Sequence, residues 1–124
     1  PAFVAAEKGH TTALELLVKA GCDVNKADGD GWTPAYIAAQ GGHTVALALL
    51  VKAGCDVNKA NKNGWTPAFA TAFYGHTAAL ERLIKAACDV NQANIEGMSP
   101  AYVAAQNDHT AALELLVKSG CDVN

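Results

Sequence analysis

The chain has few charged residues, few aromatic residues and no long apolar run. Charged residues make up 17% of its 124 positions, and at a net charge of −3 the Lys and Arg residues are scattered singly, so we do not expect nucleic-acid binding. No apolar run approaches the roughly 20 residues that span a bilayer, and the N-terminal Pro1-Ala2-Phe3 does not begin a signal peptide. These absences argue against a membrane protein.

Proline, histidine and cysteine are also scarce, and each occurs only at intervals of 33 residues. A period of 20–50 residues is typical of stacked-repeat proteins. We therefore interpret residues 1–124 as a single domain of four units, 1–30, 31–63, 64–96 and 97–124, the first of them truncated at its N-terminus. The recurring residues are Pro1, Pro34, Pro67 and Pro100; His10, His43, His76 and His109; and Cys22, Cys55, Cys88 and Cys121.

The spacing of the cysteines opposes both disulfide bonds and a metal site. Equivalent positions in stacked helical units lie about 8–10 Å apart, whereas a disulfide needs Cα atoms within about 7 Å. Zinc ligands occur in closely spaced pairs, but each cysteine here stands alone, 12 residues beyond its histidine. We expect free, buried thiols that pack as small apolar side chains in a reducing, intracellular and most simply cytoplasmic setting, with no metal and no other cofactor.

The second unit indicates how each copy folds. Thr33 and Pro34 predict the start of a first helix that runs to about Gln40, because Thr is a good N-cap and Pro suits the first helical position. Thr44 begins a second helix with a broad apolar face, and Gly54 supplies its positive-φ end. A polar, glycine-bearing connector then leads to the next unit.

The segments GWTPAYIAAQGGH and LLVKAGCDVN resemble the ankyrin repeat, whose pattern reads TPLHxAAxxGH and LLxxGADVN. The resemblance covers essentially the whole chain. It implies an all-α repeat solenoid, a stack of four helix-turn-helix pairs joined by three β-hairpin-like turns. It also implies that the histidine of each GHT ties the loop between the helices to the backbone of the neighbouring unit. Tyr36, Phe69 and Tyr102 replace the family's first-helix histidine, so ring packing is expected to substitute for its hydrogen bonds.

No motif of the chain marks a catalytic site. Glycine-rich phosphate loops, nucleophile elbows and HExxH motifs are missing from the sequence. The four histidines share one setting, and no nucleophile or carboxylate distinguishes any of them. We therefore predict that the protein is not an enzyme. The asparagine of each DVN is expected to bond its side chain to backbone and stabilise the turn; whether it is modified stays open.

Residues that break the repeat are better candidates for function than residues present in every copy. The position after the turn glycine carries Trp32, Trp65 and Met98. Trp is enriched among residues that dominate binding energy, and partners of ankyrin-like proteins commonly contact the turn tips and the exposed, concave side of the first helices. The alternative is that each indole lies flat on a neighbouring turn and seals the stack.

The third unit departs furthest from the others. It has Phe73-Tyr74 where its neighbours have Gln40-Gly41 and Gln106-Asn107, and Ala87 replaces the helix-ending glycine. A contiguous exposed apolar patch is typical of an interaction site, and harmless drift is the alternative. The predicted protein-binding residues are the apolar Trp32, Trp65, Phe73, Tyr74, Ile95 and Met98, with a polar rim of Asp30, Lys62 and Glu96.

These features predict a non-catalytic module that binds another protein on its concave face, centred on the third unit, and neither nucleic acid nor membrane. A different class of function stays open. Because the last helix keeps the interior apolar pattern, the chain could be a scaffold or spacer segment of a longer array that associates end to end. It could also be an engineered repeat stack without a natural partner.

Overall fold

The computed structural model describes Ala2 and residues 11–121, and this part of the chain is an all-α repeat solenoid. The predicted first helix of the first unit, with Pro1 and His10, lies outside the described residues except for Ala2, and so does Asn124. The described residues form seven helices and no strand. They are α1 (Thr11–Lys19), α2 (Pro34–Gln40), α3 (Thr44–Lys52), α4 (Pro67–Tyr74), α5 (Thr77–Lys85), α6 (Pro100–Gln106) and α7 (Thr110–Lys118).

The first helix of each of the last three units begins as predicted. Thr33 has extended backbone at φ −86°, ψ 162°, and its hydroxyl oxygen accepts a hydrogen bond from the N–H of Tyr36 at 3.1 Å. Proline occupies the next position, where no intrahelical N–H is needed. The same cap recurs at Thr66 and Ser99. Local sequence therefore determines where α2, α4 and α6 start.

The helices pack in two rows. The first helices α2, α4 and α6 lie side by side, and the second helices α1, α3, α5 and α7 form the other row. Fully buried alanines such as Ala38 and Ala72 let the first helices approach closely, while Leu47 and Leu80 fill the space beneath the second helices. Each unit thus completes its core only against its neighbours, as in other repeat stacks.

Side chains also bond one unit to the next. The Nε2 of His76 donates to the carbonyl oxygen of Gln40 at 2.9 Å, which confirms for this histidine the loop-anchoring role implied by the resemblance. The side-chain oxygen of Asn25 accepts from the N–H of Asp56 at 2.7 Å, and Asn58 makes the same bond to Asp89. The predicted side-chain-to-backbone bonds are therefore present for these two DVN asparagines, and they join successive units.

The three connectors are hairpin-like, as predicted. In the second of them the N–H of Asn61 donates to the carbonyl oxygen of Trp65 at 3.0 Å, and the N–H of Gly64 donates back to Asn61 at 2.9 Å. The side-chain oxygen of Asn61 accepts from the N–H groups of Asn63 and Trp65. Asp28 and Asn94 hold the other two turns in the same way.

No disulfide joins the four cysteines, and they are half-buried against the core rather than fully enclosed. The prediction of buried thiols is corrected to that extent, because each cysteine follows its second helix at the edge of the stack. Burial, with a smaller contribution from the neighbouring Asp56 carboxylate, raises the pKa of Cys55 to about 11, and Cys88 behaves alike beside Asp89. None of the helices in the described residues has the length and apolar character that crossing a membrane requires.

Candidate protein-binding surface

The third unit carries a continuous row of aromatic rings. The ring centroids of Trp65 and Phe69 lie 4.9 Å apart, those of Trp65 and Phe73 lie 5.8 Å apart in a stacked arrangement, and Phe73 meets Tyr74 edge-on at 4.9 Å. We call these four residues the aromatic row. Offset-stacked and edge-to-face pairs are the favoured geometries of aromatic rings. The row therefore holds together without help from a partner.

Helical spacing explains why three of the four rings, Trp65, Phe69 and Phe73, follow one another. Phe69 and Phe73 are four residues apart on α4, so their side chains share one face of the helix. Trp65 precedes Phe69 by four residues at the helix entrance, where its backbone N–H is fixed by Asn61. Tyr74 is the last residue of α4, and Gly75 then turns the chain away with a left-handed φ of 73°. The row thus runs from the turn tip to the end of the first helix.

The end of α4, at Phe73 and Tyr74, is bonded to the units on either side of it. The side chain of Tyr74 is 41% exposed, yet its hydroxyl accepts a hydrogen bond of 3.4 Å from the side-chain amide of Gln40, and its ring stacks 6.1 Å from His76. On the opposite side, the Asn107 amide donates to the carbonyl oxygen of Phe73 at 3.0 Å. The sequence analysis did not predict the hydrogen bonds of Gln40 and Asn107. The available signal was their spacing, because Gln40 lies 34 residues before Tyr74 and Asn107 lies 34 residues after Phe73.

Trp32 and Trp65 are half-buried, so they are neither fully exposed for a partner nor completely enclosed within the stack. Trp32 packs on Tyr36 at 5.2 Å, as Trp65 packs on Phe69, so each indole lies over the first-helix ring of its own unit. Tyr36 and Phe69 are almost completely buried and were not among the predicted site residues. The indoles rest on these two rings, which confirms the expected ring packing in the second and third units. Tyr102 of the fourth unit is 55% exposed and does not pack in this way, so the expectation is not met there.

The third turn brings its predicted residues beside the aromatic row through the backbone. The N–H of Ile95 donates to the carbonyl oxygen of Asn63 at 3.1 Å, and a side-chain carbon at Gly64 would come within 2.9 Å of the Ile95 nitrogen. The Ile95 side chain is 73% exposed, and Met98 is half-buried at the position that Trp32 and Trp65 occupy in earlier units. Membership of both residues in one patch stays a prediction.

The predicted rim residues Asp30, Lys62 and Glu96 are all exposed on successive turns. The N–H of Lys62 donates to the carbonyl oxygen of Asp30 at 3.4 Å, so these turns lie next to each other. The described residues contain no group of three or more His, Cys, Asp or Glu side chains placed to hold a metal ion. What this face offers is an aromatic centre with flanking charges of both signs.

The sequence profile for ankyrin repeats (3 copies) matches residues 1–61 and 46–124, which together cover the chain. A segment of 31 residues, 25% of this chain, is 64% identical to protein phosphatase 1 regulatory subunit 12A of mouse, human and rat. That segment spans only 3% of the length of those relatives. Across its whole length, this chain belongs to the ankyrin repeat family.

Proposed function

We propose that residues 1–124 act as one non-catalytic binding domain of four units, 1–30, 31–63, 64–96 and 97–124, that takes a partner protein on the exposed side of its first helices and turns. Ankyrin repeats generally mediate protein–protein interaction. The matched relatives are regulatory subunits by name, which supports a non-catalytic role. The four cysteines, none of which forms a disulfide, support an intracellular, most simply cytoplasmic, setting.

One observation carries the choice of surface: the ring path from fully buried Phe69 through half-buried Phe73 to Tyr74, which is 41% exposed. The fold does not require the outer two rings, because the second and fourth units end the same helix with Gln40 and Gln106. Exposed aromatic area gains about 25 cal/mol per Å² when a partner removes it from water. The amides bonded to Tyr74 and Phe73 hold the row in place, so little ordering cost remains at binding.

Replacing Phe73 and Tyr74 by Gln and Asn, the residues of the fourth unit, tests this proposal. Partners retained by the immobilised chain are identified by mass spectrometry, and the strongest is purified and titrated against both proteins by calorimetry. Because aromatic anchors dominate interface energy, the double variant is expected to bind at least about tenfold more weakly. Far-ultraviolet circular dichroism should match the parent, since the new residues already end α6.

The matched control is Val45→Ala, which removes an exposed apolar side chain from α3 and copies Ala78 and Ala111 of the later units. Val45 is 62% exposed and lies on a second helix, away from the aromatic row. Binding should be unchanged in this control. A folded Phe73/Tyr74 variant that binds as well as the parent would refute the surface assignment.

A second candidate function is a scaffold that associates end to end, and one observation favours it. Tyr102 is 55% exposed, whereas Tyr36 and Phe69 are 1% and 0% exposed at the corresponding positions. The fourth unit therefore presents a surface that interior units bury against their neighbours. Another copy of the chain has the chemistry to cover it.

A further inference from the structure

A cleft between the second helices α3 and α5 combines positive charge with a small apolar floor. Its volume is about 190 Å³, and it is lined by Ala48, Val51, Lys52, Arg82, Lys85 and Ala86. The three apolar residues are half-buried and the three basic ones are exposed. No carboxylate is among the lining residues, although the chain as a whole carries a net charge of −3.

The neighbouring cleft, between α5 and α7, is the same site one unit later and provides an internal comparison. It is lined by Glu81, Ile84, Lys85, Leu115, Lys118 and Ser119, each of them 33 residues beyond its counterpart. Two of these positions differ in charge. Ala48 corresponds to Glu81, and Arg82 corresponds to Leu115, so both differences make the central cleft more positive. Glu15 and Leu49 hold these two positions in the preceding pair of units.

The loss of the glutamate also removes the neighbour that would neutralise Lys52. In the first unit Lys19 pairs with Glu15 at 3.5 Å, and in the third Lys85 pairs with Glu81 at 3.2 Å, one helical turn apart in each case. Ala48 lies four residues before Lys52, where the first and third units have glutamate. Among the described residues Lys52 therefore has no ion-pair partner. Two independent sequence changes thus leave uncompensated charge in one cleft.

Arg82 is unpaired in the same sense, and it is the only arginine of the chain. The repeat places leucine at this position in its other three copies, so packing between units does not call for a cation. A guanidinium can bind a carboxylate through two parallel hydrogen bonds, which adds geometric specificity to the charge attraction. Arg82 therefore supplies the directional donor of the cleft and Lys52 supplies a second unpaired charge, whereas Lys85 is already paired with Glu81.

Size and helix direction favour a carboxylate over a phosphate. A volume of 190 Å³ is below the several hundred Å³ of a small-molecule pocket and suits a single side chain. Lys52 and Lys85 are the last residues of α3 and α5, so the cleft lies at the C-terminal ends of both helices. Helix C-termini carry partial negative charge, which disfavours any anion and a doubly charged one more than a singly charged one. The basic side chains must outweigh this effect, so a singly charged carboxylate on an apolar stem is favoured over a phosphate.

We propose that this cleft docks an acidic side chain from a partner-protein segment in which acidic and apolar residues alternate. The carboxylate would bind Arg82 and Lys52, and an adjacent apolar side chain would cover Val51 and Ala86. The site lies on the second helices, whereas the aromatic row lies on the first helix of the third unit. The proposal for this cleft therefore does not depend on the function proposed above.

The test measures fluorescence anisotropy of a short dye-labelled peptide of alternating Glu and Leu, titrated with the whole chain at low and at physiological ionic strength. The variants Arg82→Leu and Ala48→Glu restore the residues of the other units, so both should fold. Each is expected to weaken binding roughly tenfold, the scale of one charged hydrogen-bonded contact. The double variant Glu81→Ala/Leu115→Arg copies the central charges into the neighbouring cleft and should create a second binding site.

The control Lys118→Leu removes one positive charge from the neighbouring cleft, and it should change affinity less than about twofold. A peptide with Gln in place of Glu should not bind. The proposal is overturned if the parent chain shows no salt-sensitive binding, or if Lys118→Leu weakens binding as much as Arg82→Leu does. Tighter binding of a phosphoserine–Leu peptide than of the Glu–Leu peptide would overturn the choice of a carboxylate.

Discussion

Ala87 is held in a backbone conformation that its side chain disfavours. Its φ is 61°, in the left-handed region, where the repeat has Gly21, Gly54 and Gly120 with φ of 83°, 87° and 89°. A Cβ atom is strained in this region, and glycine is not. The third unit therefore keeps the ending of its second helix at the expense of local strain at Ala87.

Ala87→Gly is accordingly expected to raise the free energy of unfolding by about 1 kcal/mol. Urea denaturation followed by circular dichroism measures the change. Asp108 offers a comparison inside the chain, since its φ is 59° where the earlier units have Gly42 and Gly75. Asp tolerates the left-handed region better than Ala does, so Asp108→Gly should gain less. Equal gains at both sites, or a loss at Ala87, would contradict the strain assignment.

At the scale of the helices, local sequence predicts the bounds of each element but not its contacts with the next unit. The start of α2 follows from Thr33 and Pro34, and its end at Gln40 was predicted from the two glycines that follow. The bond from Gln40 to Tyr74 and the approach of Arg82 to Lys52 depend on how far each unit is displaced from the last. That displacement is set by packing across the whole interface, which the one-dimensional period does not specify.

The packing of α2 against α4 buries the hydroxyl of Tyr36 without a hydrogen bond from the described part of the chain. Tyr36 on α2 is 1% exposed, and its hydroxyl has no hydrogen-bond partner among the described residues. Phe69 occupies the same position in α4 with 0% exposure. Burial, with a smaller electrostatic contribution from Tyr74, raises the pKa of the Tyr36 phenol above its ordinary 10.0. The interface thus disfavours both the unbonded hydroxyl and, more strongly, its anion.

Tyr36→Phe should therefore stabilise the fold by about 1 kcal/mol at neutral pH, the usual cost of an unsatisfied buried hydroxyl. The difference in free energy of unfolding between the variant and the parent should increase at alkaline pH. A raised pKa in the folded state means that the contribution of the protonated phenol is complete below pH 10 and is lost as the pH rises above it. Urea denaturation of both proteins at pH 7, 9 and 10.5 measures the difference. A variant less stable than the parent would show that the hydroxyl is satisfied, and a difference that does not change with pH would show that the pKa of the Tyr36 phenol is not raised.

At the scale of the whole molecule, every unit presents one surface to the unit before it and another to the unit after it. Ile84 and Leu115 line one cleft from opposite sides, so the Ile84 position faces forward along the stack and the Leu115 position faces backward. Val117 holds the forward position in the fourth unit and is 51% exposed. Leu16 holds the backward position in the first unit and is 63% exposed. The Val117 surface therefore matches the Leu16 surface in the same way that the Ile84 position of one unit matches the Leu115 position of the next.

If the chain associates end to end, the Val117 surface of one copy should therefore stack on the Leu16 surface of another, in a head-to-tail arrangement that can continue indefinitely. Sedimentation velocity at several concentrations should then show a coefficient that rises with concentration. Val117→Glu and Leu16→Glu should each abolish the rise, because a carboxylate would be buried without a partner. Val45→Glu, a change of the same kind at a side chain that is 62% exposed on α3, should leave it intact.

Mixing the two blocked variants distinguishes this arrangement from any other. Val117→Glu keeps an intact Leu16 surface, and Leu16→Glu keeps an intact Val117 surface, so an equimolar mixture should form pairs that cannot grow further. A symmetric association through like surfaces would instead leave at least one of the variants able to associate by itself. A parent chain that stays monomeric at every concentration would eliminate the scaffold candidate and leave partner binding as the function to pursue.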